Sequence, residues 1–222
     1  DNALLGVDMK VDLFRSFSFY GQWLFDEFNF SQIMDRNGWW ANKFAAQAGF
    51  KYIDVLKVDN LDIQMEVNLA RPYTYTHNST ANYSHYNQEL AHPLGANFRE
   101  FISIVKYQPI QKLNLRFQYV HYMKGLDADS SNWGGDIFTN SINPESSLLN
   151  VEQEYNNSIG QGEKHKVNYA ELLASYQIRH NIFADLSLHF RSEKEVETNL
   201  TDKTVFASFG LRMNMPYKRY DF

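Results

Sequence analysis

The segment from Arg71 to Gly95, RPYTYTHNSTANYSHYNQELAHPLG, gathers the side chains best suited to recognising a polar ligand. They are Arg71, Tyr73, Tyr75, His77, Tyr83, His85, Tyr86, Asn87, Gln88 and His92. Aromatic rings stack on the C–H faces of sugars, while Asn, Gln, His and Arg hydrogen-bond hydroxyls and acidic groups. Glycan binding is therefore one expectation for this loop. A structural role is the other: Tyr and His at such a position can form the interfacial girdle of a barrel, or fold inward to fill its lumen.

A second oxygen-rich stretch carries Asp127, Asp129, Asn132 and Asp136 beside Gly134 and Gly135. Hard cations want converging carboxylate and carbonyl oxygens on a turn that glycine permits, so this is a weak calcium candidate. The EF-hand spacing is not met, and an ordinary solvated turn is the competing reading. The histidines show neither HExxH nor paired-ligand spacing. No Gly-x-Ser-x-Gly elbow and no adequate Ser/His/Asp grouping occurs. Enzymatic activity is not expected, nor is a resident metal or cofactor.

The elements that must hold these residues are strands. Leu61, Ile63, Met65, Val67 and Leu69 alternate with Asp62, Gln64, Glu66 and Asn68, which sends one set to each face. The same alternation marks Leu5–Leu13, Phe17–Asp26 (with Leu24 out of place), Lys43–Tyr52, Leu113–Tyr119, Ala170–Ile178, Ile182–Arg191 and Thr204–Met215. Ala96–Tyr107 mixes both types on both faces, and Gln108-Pro109 is expected to close it. Glu27–Trp39 reads as a polar-aromatic loop with a turn at Asn37-Gly38, and long loops are expected at about 70–95 and 123–166.

Composition agrees with strands that meet oil on one side and a watery bore on the other. The 222 residues hold 16% aromatics, no cysteine and a net charge of −5 without like-charge runs, which argues against a nucleic-acid partner. Each strand has about ten residues, and connections alternate short and long, as in outer-membrane barrels. The expected architecture is all-β: a single domain over 1–222 forming an antiparallel transmembrane outer-membrane β-barrel. Nine strands with termini on opposite sides make an awkward count, and Asp1 is not a natural start. The reading is therefore the carboxy-terminal half of a larger barrel, with a soluble β-sandwich as the rival fold.

ARPYTYTH, YSHYNQELAHPLGANFRE, Gly125-Leu126-Asp127 and Asn132-Trp133-Gly134-Gly135-Asp136-Ile137, with FYGQWLFDEF earlier, resemble the Wzi-type capsule-assembly family. The resemblance is strongest to Bacteroidota members, including those associated with gliding motility. It implies a barrel of roughly eighteen strands in the bacterial outer membrane. It also implies a non-enzymatic role in retaining or organising surface polysaccharide, and adds Trp133 to the glycan candidates. Expected partners are outer-membrane lipid, surface polysaccharide and other outer-membrane proteins. The alternative is a structural barrel subunit of a secretion, surface-display or gliding complex.

Overall fold

The computed structural model describes residues 4–27, 29–77, 82–128, 130–143 and 145–214. The nine alternating segments all form strands: β1 (Leu5–Leu13), β2 (Phe17–Glu27), β3 (Lys43–Tyr52) and β4 (Leu61–Ala70), then β7 (Phe98–Ile110), β8 (Leu113–Leu126), β9 (Glu163–Arg179), β10 (Ile182–Glu195) and β11 (Thr201–Met213). They lie in one antiparallel sheet, each beside its neighbour in this order. Two short strands within the long loop, β5 (Ser84–His85) and β6 (Gln88–Glu89), make a separate ribbon. Inside the segment read as a loop, Phe30–Met34 forms a one-turn helix, α1. Asn29 caps it by accepting from the Ser31 and Gln32 backbone N–H groups.

Several boundaries differ from those read in the sequence. β7 continues through Pro109 to Ile110, because its ladder with β8 shifts register between Tyr107 and Ile110, and a bulge tolerates a residue without an N–H. β9 begins at Glu163, well before Ala170. It pairs residue for residue with the extended β8 as far as Leu126↔Glu163, which shortens the loop between them.

The sheet does not close. Among the described residues β1 pairs with β2 alone and β11 with β10 alone. Every neighbouring pair is antiparallel, so nine strands leave the two edges running in the same direction. An antiparallel ladder between those edges is then impossible. The expectation of an outer-membrane barrel is corrected: the described residues form an open antiparallel sheet. The outer-membrane location rested on that barrel and falls with it. Among the described residues no helix is long and apolar enough to cross a membrane, a statement about helices only.

The alternation does sort the two faces. One carries Val7, Trp23, Val67, Phe117, Leu188 and Phe209, all exposed. Among the described residues no second layer packs on it, so the β-sandwich is not formed either. The opposite face carries Gln22, Gln47, Glu66, Asn68 and Glu100. Near the loop end its composition changes to Leu24, Ala45, Ala70 and Phe98. The 71–97 loop folds back onto that apolar patch. Ala70, Tyr75, Ala96, Phe98 and Ile137 form the core there, with Leu24, Ala45, Tyr83 and Leu94 packed against it. Leu24 breaks the alternation because it is roofed by a loop instead of facing water.

Candidate functional site

The roof of the core is pinned by charges that water does not reach. Asp26, near the end of β2, accepts from the Tyr75 backbone N–H at 2.7 Å, and its other oxygen lies 2.9 Å from His77 Nε2. Lys43, at the start of β3, donates to the Thr76 carbonyl at 2.6 Å and pairs with Glu27 at 2.8 Å. Lys43 Nζ also sits 5.0 Å from the Trp40 ring centroid. The Asp26, Lys43 and His77 side chains are at most 4% exposed. A buried charge is tolerated only when paired and hydrogen-bonded, and all three are.

The pinned segment is strained. Tyr73 and Tyr75 both have positive φ, at 64° and 75°, which is costly for a bulky side chain. The surroundings enforce this: Tyr73 donates its hydroxyl to the Asn132 carbonyl at 2.8 Å, and its N–H to the Gly134 carbonyl at 3.1 Å. Gly134 (φ +76°) lies so close under Tyr73 that any side chain there would collide with its backbone and ring.

Between roof and sheet lies a cavity of about 250 Å³. Gln22, Gln47 and Asn68 form its polar floor; Tyr75, Tyr83, Leu90 and His92 line the loop side. The Tyr75 and Tyr83 rings stack with centroids 5.9 Å apart. The floor is held in place by a network crossing four strands. Glu66 accepts from Tyr20 at 2.6 Å, Gln47 at 3.1 Å and Asn68 at 2.9 Å. Asn68 also donates to Glu100 at 3.0 Å, and His92 lies 3.1 Å from the same carboxylate oxygen. Tyr20 reaches Glu66 by lying across Gly49, its cross-strand partner, where a Cβ would occupy the ring's place.

His92 Nδ1 accepts from the Leu94 N–H at 3.1 Å, so the ring carries its proton on Nε2 and donates to Glu100. Burial pushes the Glu100 carboxyl up, but the hydrogen bonds from His92 and Asn68 outweigh it and hold it below the usual carboxylate range. Burial, reinforced by its bond to Glu66, pushes the Tyr20 phenol up to about 12, so it stays a donor. Asn68 spends both side-chain N–H groups on carboxylates and Gln47 one of its two, which leaves both amide carbonyls to accept. The side chain of Gln22, exposed at the cavity, makes no hydrogen bond among the described residues. The arrangement can bind hydroxyl or amide groups on one side and an apolar surface on the other.

The structure scatters the residues singled out in the sequence. Tyr75, Tyr83 and His92 line the cavity. Tyr73 and His77 are buried in the supporting structure, and Arg71 bonds the Trp39 and Asn157 carbonyls at 3.4 and 3.3 Å. His85, Tyr86 and Asn87 sit exposed at the tip of the β5–β6 ribbon, where Tyr86 and Asn87 supply the two positive-φ turn residues. Trp133 is half-buried against Gly162.

Asp127 accepts from the backbone N–H groups of Trp133, Gly135 and Asp136, and Asp136 from Phe138 N–H. Asn132 accepts from Gly134 N–H and donates to the Asn140 and Asn150 carbonyls. These side chains build turns, and Asp129 lies outside the described residues. Among the described residues no three His, Cys, Asp or Glu side chains are grouped to hold a metal. The floor residues Gln22, Gln47 and Asn68 are not among the site candidates that the sequence offers. A period-2 pattern places them on the polar face without showing that a loop returns over them.

No protein-family model, no curated protein and no solved structure matches this chain. The resemblance to the Wzi-type family is thus unsupported, and the polysaccharide-organising role, with its capsule and gliding associations, is withdrawn together with the barrel.

Proposed function

We propose that this chain is a non-catalytic recognition module for a small, neutral ligand bearing several hydroxyl or amide groups and one apolar face, on the scale of a single sugar ring. The observation that carries this reading is the cavity in which an amide floor faces the stacked Tyr75–Tyr83 pair. Its volume of about 250 Å³ lies just below the range of drug-sized pockets, roughly 300–1,000 Å³. Neutrality follows from Glu66 and Glu100. They repel an anion, and both Glu66 oxygens and one Glu100 oxygen already accept from Tyr20, Gln47, Asn68 and His92. A non-catalytic role is favoured because His92, the imidazole lining the cavity, is engaged at both ring nitrogens, by Glu100 and by the Leu94 N–H, and among the described residues no carboxylate lines the cavity.

Titration with a panel of neutral monosaccharides and inositol, followed by tyrosine and tryptophan fluorescence or by NMR shifts, tests this. Saturable binding is expected for at least one member, weakened about fivefold in Gln22→Ala, which removes an amide that the fold itself does not use. Sugar acids should bind more weakly than their neutral counterparts. Binding of none of the neutral ligands, or a preference for the acids, refutes the proposal.

A further inference from the structure

β11 is an edge without the devices by which proteins keep edges from pairing. It runs thirteen residues from Thr201 to Met213 in unbroken register with β10, contains no proline, and carries no charge from Thr204 to Leu211. Edges that stay solitary are normally short, bulged, prolyl or charged at their centre. Side chains along it are also the barest of the apolar face: Val205, Phe209 and Leu211 are 71–76% exposed, against 45–47% for Leu186 and Leu188 one strand inward. Among the described residues they lack neighbours on their outer side.

The charges at its two ends say what fits there. Asp202 stands directly opposite Glu193 on β10, a like-charge pair, and forms no ion pair among the described residues. Glu193 itself is engaged by Arg191 and His165. Ten positions on and on the same face is Arg212, bonded through Nε to Asp185 at 2.8 Å, with 47% of its side chain exposed. An antiparallel strand laid on this edge should offer a cation opposite Asp202, an anion opposite Arg212, and apolar residues between them on the apolar face.

β11 meets that description itself. We infer that the β11 edge is a self-association surface, on which a second copy of this chain pairs β11 to β11 about a twofold axis through Ala207. In that register Asp202 opposes Arg212 of the copy twice over, Val205 opposes Phe209 twice, Phe206 opposes Ser208 twice, and Ala207 meets its own equivalent. Because the strand extends six residues on either side of Ala207, all thirteen pair. The axis stands perpendicular to the sheet, so polar and apolar faces each continue across the junction, as an isologous interface requires. At β1 the corresponding argument is weaker, since Lys10 already pairs with Asp12 at 3.4 Å.

The chain contains no cysteine, so single introduced thiols read the register directly. Under mild oxidation Ala207→Cys should give a covalent dimer at least tenfold faster than Val205→Cys or Phe209→Cys alone, because only residue 207 faces itself at disulfide range. A mixture of V205C and F209C should cross-link to each other. By sedimentation equilibrium, Asp202→Lys should raise the dissociation constant roughly tenfold, since two attractive pairs become repulsive. A monomer at all concentrations, cross-linking that ignores position as unspecific contact of the apolar faces would produce, or association indifferent to Asp202→Lys each overturns the inference.

Discussion

Across β2, β3, β4 and β7 loops return over the polar face; across β10 and β11 none does among the described residues. Side chains alternate in both halves, less regularly in the first, where Leu24 breaks the pattern and β7 mixes both types, and the consequences diverge. In the roofed half Asp26, Lys43, Asn68 and His77 are buried. There a charge survives only through a fixed partner, and the fixed partners position the cavity. In the bare half no described residue of β10 or β11 is buried, and Asp185–Arg212 remains in contact with solvent, its side chains 25% and 47% exposed. The same ion-pair chemistry is structural in one place and optional in the other.

That contrast is broken or sharpened most directly by removing one carboxylate from each half. Asp26→Ala leaves His77 and the Tyr75 N–H without their acceptor in a dry environment, at a cost of about 3–5 kcal/mol in the unfolding free energy from urea titration. Asp185→Ala, in the bare half, should cost about 1 kcal/mol or less. Equal effects from the two would show that the roof does not exclude water.

Glycine offers a second pair. A methyl group at Gly125 would overlap the Gln161 carbonyl and the Asn97 amide, both part of the loop packing, whereas one at Gly210 on β11 meets nothing within 4 Å. Gly125→Ala is expected to destabilise by about 3 kcal/mol as an overpacked site. Gly210→Ala should stabilise by about 0.5–1 kcal/mol, by relieving the entropic cost of glycine within a strand. Both are read from denaturation midpoints at unchanged slope.

The bare half was the more legible in the sequence. Ile182, Ala184, Leu186, Leu188 and Phe190 alternate with polar neighbours and nothing intervenes, so the strand follows from local pattern alone. The roofed half was legible only as strands. Leu24 registered as a defect and Asn68 as one polar position among several, because their meaning depends on a loop forty or more residues away in sequence, or twenty-four in the case of His92 and Asn68. The loop's tyrosines drew attention as ligand-stacking groups. Tyr73 instead spends its hydroxyl on the Asn132 carbonyl, which no spacing rule reveals. Strand parity, by contrast, is legible: nine antiparallel strands with termini on opposite sides leave β1 and β11 running the same way, as the structure shows. Alternation settles only which face a side chain takes.

The smallest of the expected effects is the response of the roof to pH. Burial pushes the Glu27 carboxyl up, but His77, 3.7 Å away, and the paired Lys43 overcome this and hold it at about 2, below its ordinary 4.5. A depressed carboxyl contributes stability fully above about pH 4.5 and loses it as pH falls through about 2. Because the Glu27 side chain is 42% exposed, solvent screens much of that contribution. Burial alone would lower the His77 imidazole, yet its hydrogen bond to Asp26 and the Glu27 carboxylate 3.7 Å away prevail and raise it above 6.5. A raised histidine contributes fully below pH 6.5, and its contribution disappears as pH rises through the folded value. The roof is accordingly most stable between about pH 4.5 and 6.5, with a shallow acid limb and an alkaline one. His165 on β9 is also raised, by Glu163 and Glu193 acting against burial, so the alkaline limb of the whole protein has two sources. Comparison of the wild type with His77→Gln separates them. Unfolding midpoints measured from pH 5 to 9 should converge at the alkaline end, where His77 is neutral in both states of the wild type. They should diverge toward pH 5, where only the wild type carries the buried cation. A constant gap between the two curves would mean that His77 holds Asp26 as a neutral donor throughout, and that the roof relies on its hydrogen bond and not on its charge.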